Sequence, residues 1–193
     1  VTDSDQIFKE IENANLNAPK PTILCFNSMD NVEMREKIDL EYPDQKNLRI
    51  IKIKNPVSDK KTWVKIDGGI LVQDVDDQFS TDFKVVTEIQ PTEQQEKALL
   101  FAQRVVKYVK SNAIVVSNGI QAFGIGGGQV NRIWATEQAI SRAKEKFSGD
   151  LVLASDAFFP FRDVVDFCAK EGITAIVQPG GSVKDEDSIA AAN

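Results

Sequence analysis

Between Ser155 and Asp163 the chain reads Ser-Asp-Ala-Phe-Phe-Pro-Phe-Arg-Asp. Phe158, Phe159 and Phe161 surround Pro160, which fixes φ and offers no backbone donor. Asp156, Arg162 and Asp163 bracket them. An apolar wall with a few placed polar groups suits a flat heterocyclic ligand; from residue types alone, the buried part of a strand-to-helix loop is the favoured reading. Three other places could join it. The glycines of Gly126–Gln129 let backbone N–H groups approach an anion, or simply permit a close-packed turn; the pattern is neither a Walker A loop nor a clean dinucleotide fingerprint. Arg132, just beyond, is suited to clamping an anion or to sitting as a solvated helix charge. Ser182 can cap the last helix or hold a ligand. Asn112, at a strand start, can make a structural hydrogen bond or touch a ligand.

What is missing narrows the chemistry. The 193 residues contain no histidine. Ser-His-Asp and Cys-His catalysis, and His-based metal sites, are therefore excluded within this chain. Cys25 and Cys168 stand alone, with neither zinc nor disulfide-framework spacing, and read as reduced structural thiols of a cytoplasmic protein. The net charge of −6, with no Lys/Arg stripe, argues against a nucleic-acid groove. No apolar run approaches a membrane span. The start lacks the basic and apolar regions of a signal peptide. Val1 is not an initiator Met, and both ends read as cut or processed. Asp74-Val75-Asp76-Asp77 lacks the glycine and further ligands of a calcium loop and reads as solvated acid.

The elements that must position these residues follow from periodicity. Helical spacing is present over 5–14, ending before Pro19, and over Met29–Ile38. Strands are expected at Pro21–Phe26 and Leu48–Ile53, so strand, helix, strand points to a βαβ unit and an α/β fold. Asp67-Gly68-Gly69 marks a turn or bulge within the apolar Trp63–Val72 stretch. Polar 78–82 is a candidate linker. Beyond it come a helix from Pro91-Thr92-Glu93 to about Val109, with Leu99, Leu100, Val105, Val106 and Val109 inward, and a strand at Asn112–Val116. A tight Asn118-Gly119 hairpin leads to a returning strand over Ile120–Ile125. A helix over Asn131–Phe147, a strand at Leu151–Ala154, a helix from Arg162 or Asp163, a strand at Thr174–Gln178 and a helix at Asp185–Ala192 complete the chain. In open α/β sheets, ligands bind where strands run into helices. That is where the Gly126–Gln129, Phe158–Phe161 and Pro179–Ser182 loops fall.

Four stretches in fixed order carry a specific resemblance: Lys110–Val115, Gly124–Arg132, Ser155–Asp163 and Gln178–Ser182, supported by Asp67–Asp74 and Val85–Glu93. From about residue 48 onward the chain resembles the transformylase domain of the bifunctional AICAR formyltransferase/IMP cyclohydrolase family of purine biosynthesis. The resemblance implies a three-layer α/β/α, cytidine-deaminase-like fold occurring twice. Residues 1–81 would finish the first subdomain and 82–193 make most of the second. It also implies transfer of a formyl group from 10-formyltetrahydrofolate to the amine of AICAR, with Asn112, Arg132 and Phe158 touching AICAR. Ile133, Pro160, Phe161, Asp163, Ser182 and Val183 would contact the folate, and Ser111 and Asp156 match two positions of a potassium site.

The departures are as specific. Nothing here matches the family's Lys-His catalytic pair, its C-terminal Arg- and His-containing tail or its cyclohydrolase domain, and Asn131 stands where a serine is usual. The general base would then lie outside this chain, supplied by the Lys-His-containing half in a homodimer or hetero-assembly. The alternative is a non-catalytic folate- or nucleotide-binding subunit, one partner of a split transformylase.

Overall fold

The computed structural model describes residues 23–26, 49–52, 60–79 and 83–193. The helices expected over 5–14 and Met29–Ile38, and positions 80–82 of the expected linker, lie outside the described residues. The chain divides into two compact units, Val1–Gln78 and Phe79–Asn193.

In the first unit, β1 (Ile23–Phe26) pairs in parallel with β2 (Arg49–Lys52). Parallel neighbours need a crossover connection; the helix expected between these two lies outside the described residues. β3 (Lys61–Ile66) and β4 (Gly69–Asp74) form an antiparallel hairpin with Trp63 opposite Val72 and Val64 opposite Leu71. The turn between them needs a positive φ, which Gly68 supplies at 78°.

The second unit is built from α1 (Glu93–Val106), β5 (Ile114–Ser117), β6 (Ala122–Gly126), α2 (Arg132–Lys144), β7 (Leu151–Ser155), α3 (Asp163–Lys170), β8 (Ile173–Val177) and α4 (Asp185–Ala192). Its sheet has the order β6-β5-β7-β8. β5 is antiparallel to both β6 and β7, and β7 is parallel to β8. Three strands therefore run one way and β5 runs the other. The C-terminal ends of β6, β7 and β8 and the N-terminal end of β5 thus share one edge, and the Gly126–Gln129, Phe158–Phe161 and Pro179–Ser182 loops leave from it.

β5 and β7 are near-continuous apolar runs, as strands covered on both faces must be. Their alternate residues serve two cores. Ile114, Val116, Leu151 and Leu153 pack with Ala135, Ala139, Ile140, Val164, Val165 and Cys168 of α2 and α3. Val115, Val152 and Ala154 pack with Ala98, Leu99, Ala102 and Val106 of α1. The fold is thus mixed α/β, with helices on both faces of this sheet. Burial pushes the Cys168 thiol up to about 12, so it is a packing group and not a nucleophile.

α2 ends at Lys144, short of the expected Phe147, and two further elements differ from expectation. α1 begins as its Thr92 capping box with Gln95 dictates, but it ends at Val106, and Tyr108 and Val109 donate to Val105 and Val106 in a tightened last turn. Its buried face uses Ala98 and Ala102 beside Leu99 and Val106, while Leu100, Val105 and Val109 are only half-buried; small side chains let the helix lie close to the sheet. The Asn118-Gly119 connection is a four-residue loop, 118–121, with Ser117 opposite Ala122. The Asn118 carboxamide oxygen accepts the N–H groups of Ile120 and Gln121, and this side-chain turn delays β6 to Ala122.

The glycines before α2 have a packing reason. A Cβ on Gly124 would lie 1.8 Å from the Ala139 carbonyl oxygen, and one on Gly126 would lie 2.1 Å from that of Ala135. Strand and helix backbones are in direct contact there, so these two glycines set the separation of β6 from α2. Gly124→Ala is expected to destabilise the second unit by about 3 kcal/mol, measured by urea unfolding. Gly69→Ala, where a Cβ meets nothing nearer than the Ile66 side chain at 4.0 Å, is expected to shift stability by less than about 1 kcal/mol.

Candidate functional site

Arg132 is the first residue of α2, directly after Asn131, whose side-chain oxygen caps the helix by accepting the Trp134 N–H at 3.0 Å. Asparagine therefore does here what a serine would do. The Arg132 side chain turns inward along the shared sheet edge and is 8% exposed. One guanidinium nitrogen donates to Ser155 Oγ at 2.9 Å and to Asp156 Oδ1 at 2.5 Å; the other donates to Asn112 Oδ1 at 2.8 Å. The first turn of α2, the end of β7 and the approach to β5 are thereby tied at one side chain.

Each partner is held in turn. Asp156 Oδ1 also accepts the Ala113 N–H at 2.8 Å, while the Asp156 N–H donates to the Ala113 carbonyl at 3.2 Å. Ser155 spends its hydroxyl hydrogen on the Ala157 carbonyl at 2.7 Å, so a lone pair faces Arg132. Asn112 Nδ2 donates to the Gln129 carbonyl at 2.8 Å, and the Asn112 N–H reaches the same oxygen at 3.3 Å. Burial works to raise the Asp156 pKa. Hydrogen bonds from Ser111, Arg132 and the Ala113 N–H, and the charge of Arg132, outweigh it and hold the carboxyl below its ordinary value.

Of the residues singled out from sequence, Ser111, Asn112, Arg132 and Asp156 come together. Phe158 and Phe161 are exposed on the loop after β7, whereas Phe159 between them is 1% exposed and belongs to the core of α2 and α3. The aromatic loop is thus both wall and core, divided by residue. Phe161 meets the next loop: the Lys184 ammonium lies 4.9 Å from its ring centroid, a cation–π contact. Pro160 and Val183 are exposed, and Ile133 packs against the core. The Asp163 carboxylate accepts the Val164 N–H at 2.9 Å and Ser182 Oγ accepts the Lys184 N–H at 3.1 Å. Ser155 and the Gln129 carbonyl join them; a serine directly before the aspartate at the end of an apolar run is a readable signal for the first.

Two of the expected site residues have partners within the chain. The Arg132 guanidinium is already bonded to Asp156, so a substrate anion there would share it with that carboxylate. Ser111 and Asp156 are neighbours, but the serine hydrogen-bonds the carboxylate and the carboxylate bonds Arg132. The Arg132 bond falls on Asp156 Oδ1, and no step is routed through a potassium ion.

The AICARFT/IMPCHase bienzyme family model matches residues 36–142, more than half the chain. The chain belongs to this family. It is 58% identical over 146 residues to the bifunctional purine biosynthesis protein PurH of Fusobacterium nucleatum, covering 75% of this chain and 29% of that protein. The PurH proteins of Clostridium perfringens and Brachyspira hyodysenteriae are both 59% identical, over 149 and 150 residues; each match covers 77% of this chain and 29% and 28% of the relative. The chain spans less than a third of the length of these curated relatives.

Replacing Asp156 tests the network. Asp156→Asn is expected to cost about 2 kcal/mol at neutral pH, the scale of hydrogen bonds to a charged group. The folded pKa lies below the unfolded one, so the contribution is fully present above about pH 4 and is lost as pH falls through the folded value. Urea unfolding of both proteins across acid pH should show the difference between them shrinking on acidification. A difference that persists unchanged would show that Asp156 does not act through its ionised form.

Proposed function

We propose that this chain is part of an AICAR formyltransferase, moving a formyl group from 10-formyltetrahydrofolate to AICAR in purine biosynthesis, with the general base outside the chain. The observation that carries the reading is the convergence of four motif stretches at one sheet edge, in a chain of the AICARFT/IMPCHase family. The same reading takes the second unit as the α/β/α, cytidine-deaminase-like layer arrangement of a duplicated domain, supported by helices on both faces of its sheet. Residues 1–81 then close the first subdomain and 82–193 form the second; the division of the chain at Gln78 and Phe79 supports that boundary.

The chemistry sets the roles. The AICAR amine attacks the formyl carbon, the bond from that carbon to the folate nitrogen breaks, and the amine loses a proton. Asn112 and Arg132 would orient AICAR, and Phe158, 43% exposed, would cover its imidazole. Phe161 and Pro160 would line the pterin face, with Ile133, Asp163, Ser182 and Val183 around it. Phe161, Val183 and Asp163 are open to a ligand from outside. The proton needs an acceptor. Asp156 is a poor one, because its pKa is depressed and its oxygen is already engaged. With no histidine in the sequence, the Lys-His-containing half of the domain, in a homodimer or hetero-assembly, would supply it. Among the described residues no helix is long and apolar enough to cross a membrane; the proposed location is the cytoplasm, where such a pathway would run.

Calorimetric titration with AICAR should show saturable one-site binding, weakened about tenfold by Asn112→Ala. The chain alone should not turn over 10-formyltetrahydrofolate and AICAR. Absence of AICAR binding would overturn the substrate assignment, and substantial unaided formyl transfer would overturn the claim that the base lies elsewhere.

A further inference from the structure

A carboxamide can face a ligand with its oxygen or with its nitrogen, and the two recognise opposite groups. The surroundings of Asn112 permit one orientation. A guanidinium has donors and no acceptor, so the atom 2.8 Å from Arg132 must be the Asn112 oxygen. A peptide carbonyl has lone pairs and no hydrogen, so the atom 2.8 Å from Gln129 must be the Asn112 nitrogen. Exchanging the two would put donor against donor and acceptor against acceptor at once. Arg132 cannot easily turn away, because the nitrogen that does not hold Asn112 is held by Ser155 and Asp156. Ser155 cannot reverse its role there while its own hydrogen is given to Ala157. The amide keeps one further hydrogen, the second on Nδ2.

We infer that Ser155 and Gln129 are positioning residues that lock Asn112 as a hydrogen-bond donor, and that Asn112 thereby reads the carboxamide oxygen of AICAR and not its amine. The inference rests on the proposed AICAR site. The reacting amine and the adjacent carboxamide share one edge of the imidazole. An N–H aimed at the amine hydrogens would set donor against donor. Aimed at the carbonyl oxygen it makes a bond and leaves the amine lone pair free to attack. Recognition then depends on the direction of a hydrogen bond and not on charge, as suits a guanidinium already neutralised by Asp156.

Two analogues of AICAR separate the possibilities: a 4-acetyl compound, which keeps the carbonyl oxygen and loses the amide NH₂, and its 4-isopropenyl isostere, which has no acceptor. The acetyl analogue is expected to bind within about threefold of AICAR and the isopropenyl analogue about tenfold more weakly. Asn112→Ala should erase the difference between the analogues, and Ser155→Ala should reduce it to about threefold while the unfolding midpoint still shows a folded protein. Equal binding of the two analogues by the unmodified chain, or a difference that survives Asn112→Ala, overturns the carbonyl assignment. If neither AICAR nor the analogues bind, the AICAR reading fails and the carbonyl assignment falls with it. The lock is read separately by ¹⁵N NMR of the Asn112 side chain, assigned by its loss in Asn112→Ala. One amide proton should be protected from solvent exchange, with protection reduced in Ser155→Ala. Free exchange of both protons would overturn the lock.

Discussion

The ion pair between Arg132 and Asp156 organises the second unit at its functional edge. An arginine in the first turn of a helix sits at the wrong end of the helix dipole, where negative charge is favoured, and here it is also withdrawn from water. Both costs are met by one carboxylate at 2.5 Å. Such a pair adds little net stability when whole, yet losing one partner leaves an unanswered buried charge and is costly. Its value is geometric. Asp156 is fixed to Ala113 by reciprocal bonds, and Arg132 to Ser155 and Asn112. A displacement of α2, β5 or β7 therefore breaks several bonds together.

That arrangement depends on how closely α2 approaches the sheet. Without side chains at Gly124 and Gly126, β6 lies against the helix backbone, and α2 presents Ala135, Ala139 and Ala143 to the same core. The glycine-rich stretch thus earns its place as a spacer before any question of phosphate arises. By fixing the depth of α2 it fixes where the Arg132 guanidinium falls relative to Asp156.

The parts legible in the sequence are those governed by local rules. The apolar runs at Ile114–Ser117 and Leu151–Ser155, the capping box at Thr92 and the turn at Gly68 each follow from a few neighbouring residues. The Gly126–Gln129, Phe158–Phe161 and Pro179–Ser182 loops could be assigned to one sheet edge because strand-to-helix loops gather there. What escaped depends on contacts remote in sequence. The three phenylalanines of the aromatic loop look alike as residue types; only the packing of α2 and α3 makes Phe159 core and leaves Phe158 and Phe161 outside. Arg132 reads as either a solvated helix charge or an anion ligand, and its pairing with Asp156, twenty-four positions later, shows only in the fold. Gln129 acts through its backbone carbonyl, which no side-chain pattern announces.

On the proposed reading, an edge where Arg132 and Asp156 neutralise each other would select a substrate by shape and by the direction of its hydrogen bonds more than by charge. The same pairing bears on proton transfer. A general base works best with a pKa near the working pH and a free lone pair facing the proton. The interactions that make Asp156 a good anchor lower its pKa and occupy its Oδ1, so anchoring and proton transfer are opposed demands on one carboxylate. On the proposed reading, a site that uses this acid to hold an arginine would draw its base from another group, and that conflict is the physical ground for placing binding and proton transfer on different segments.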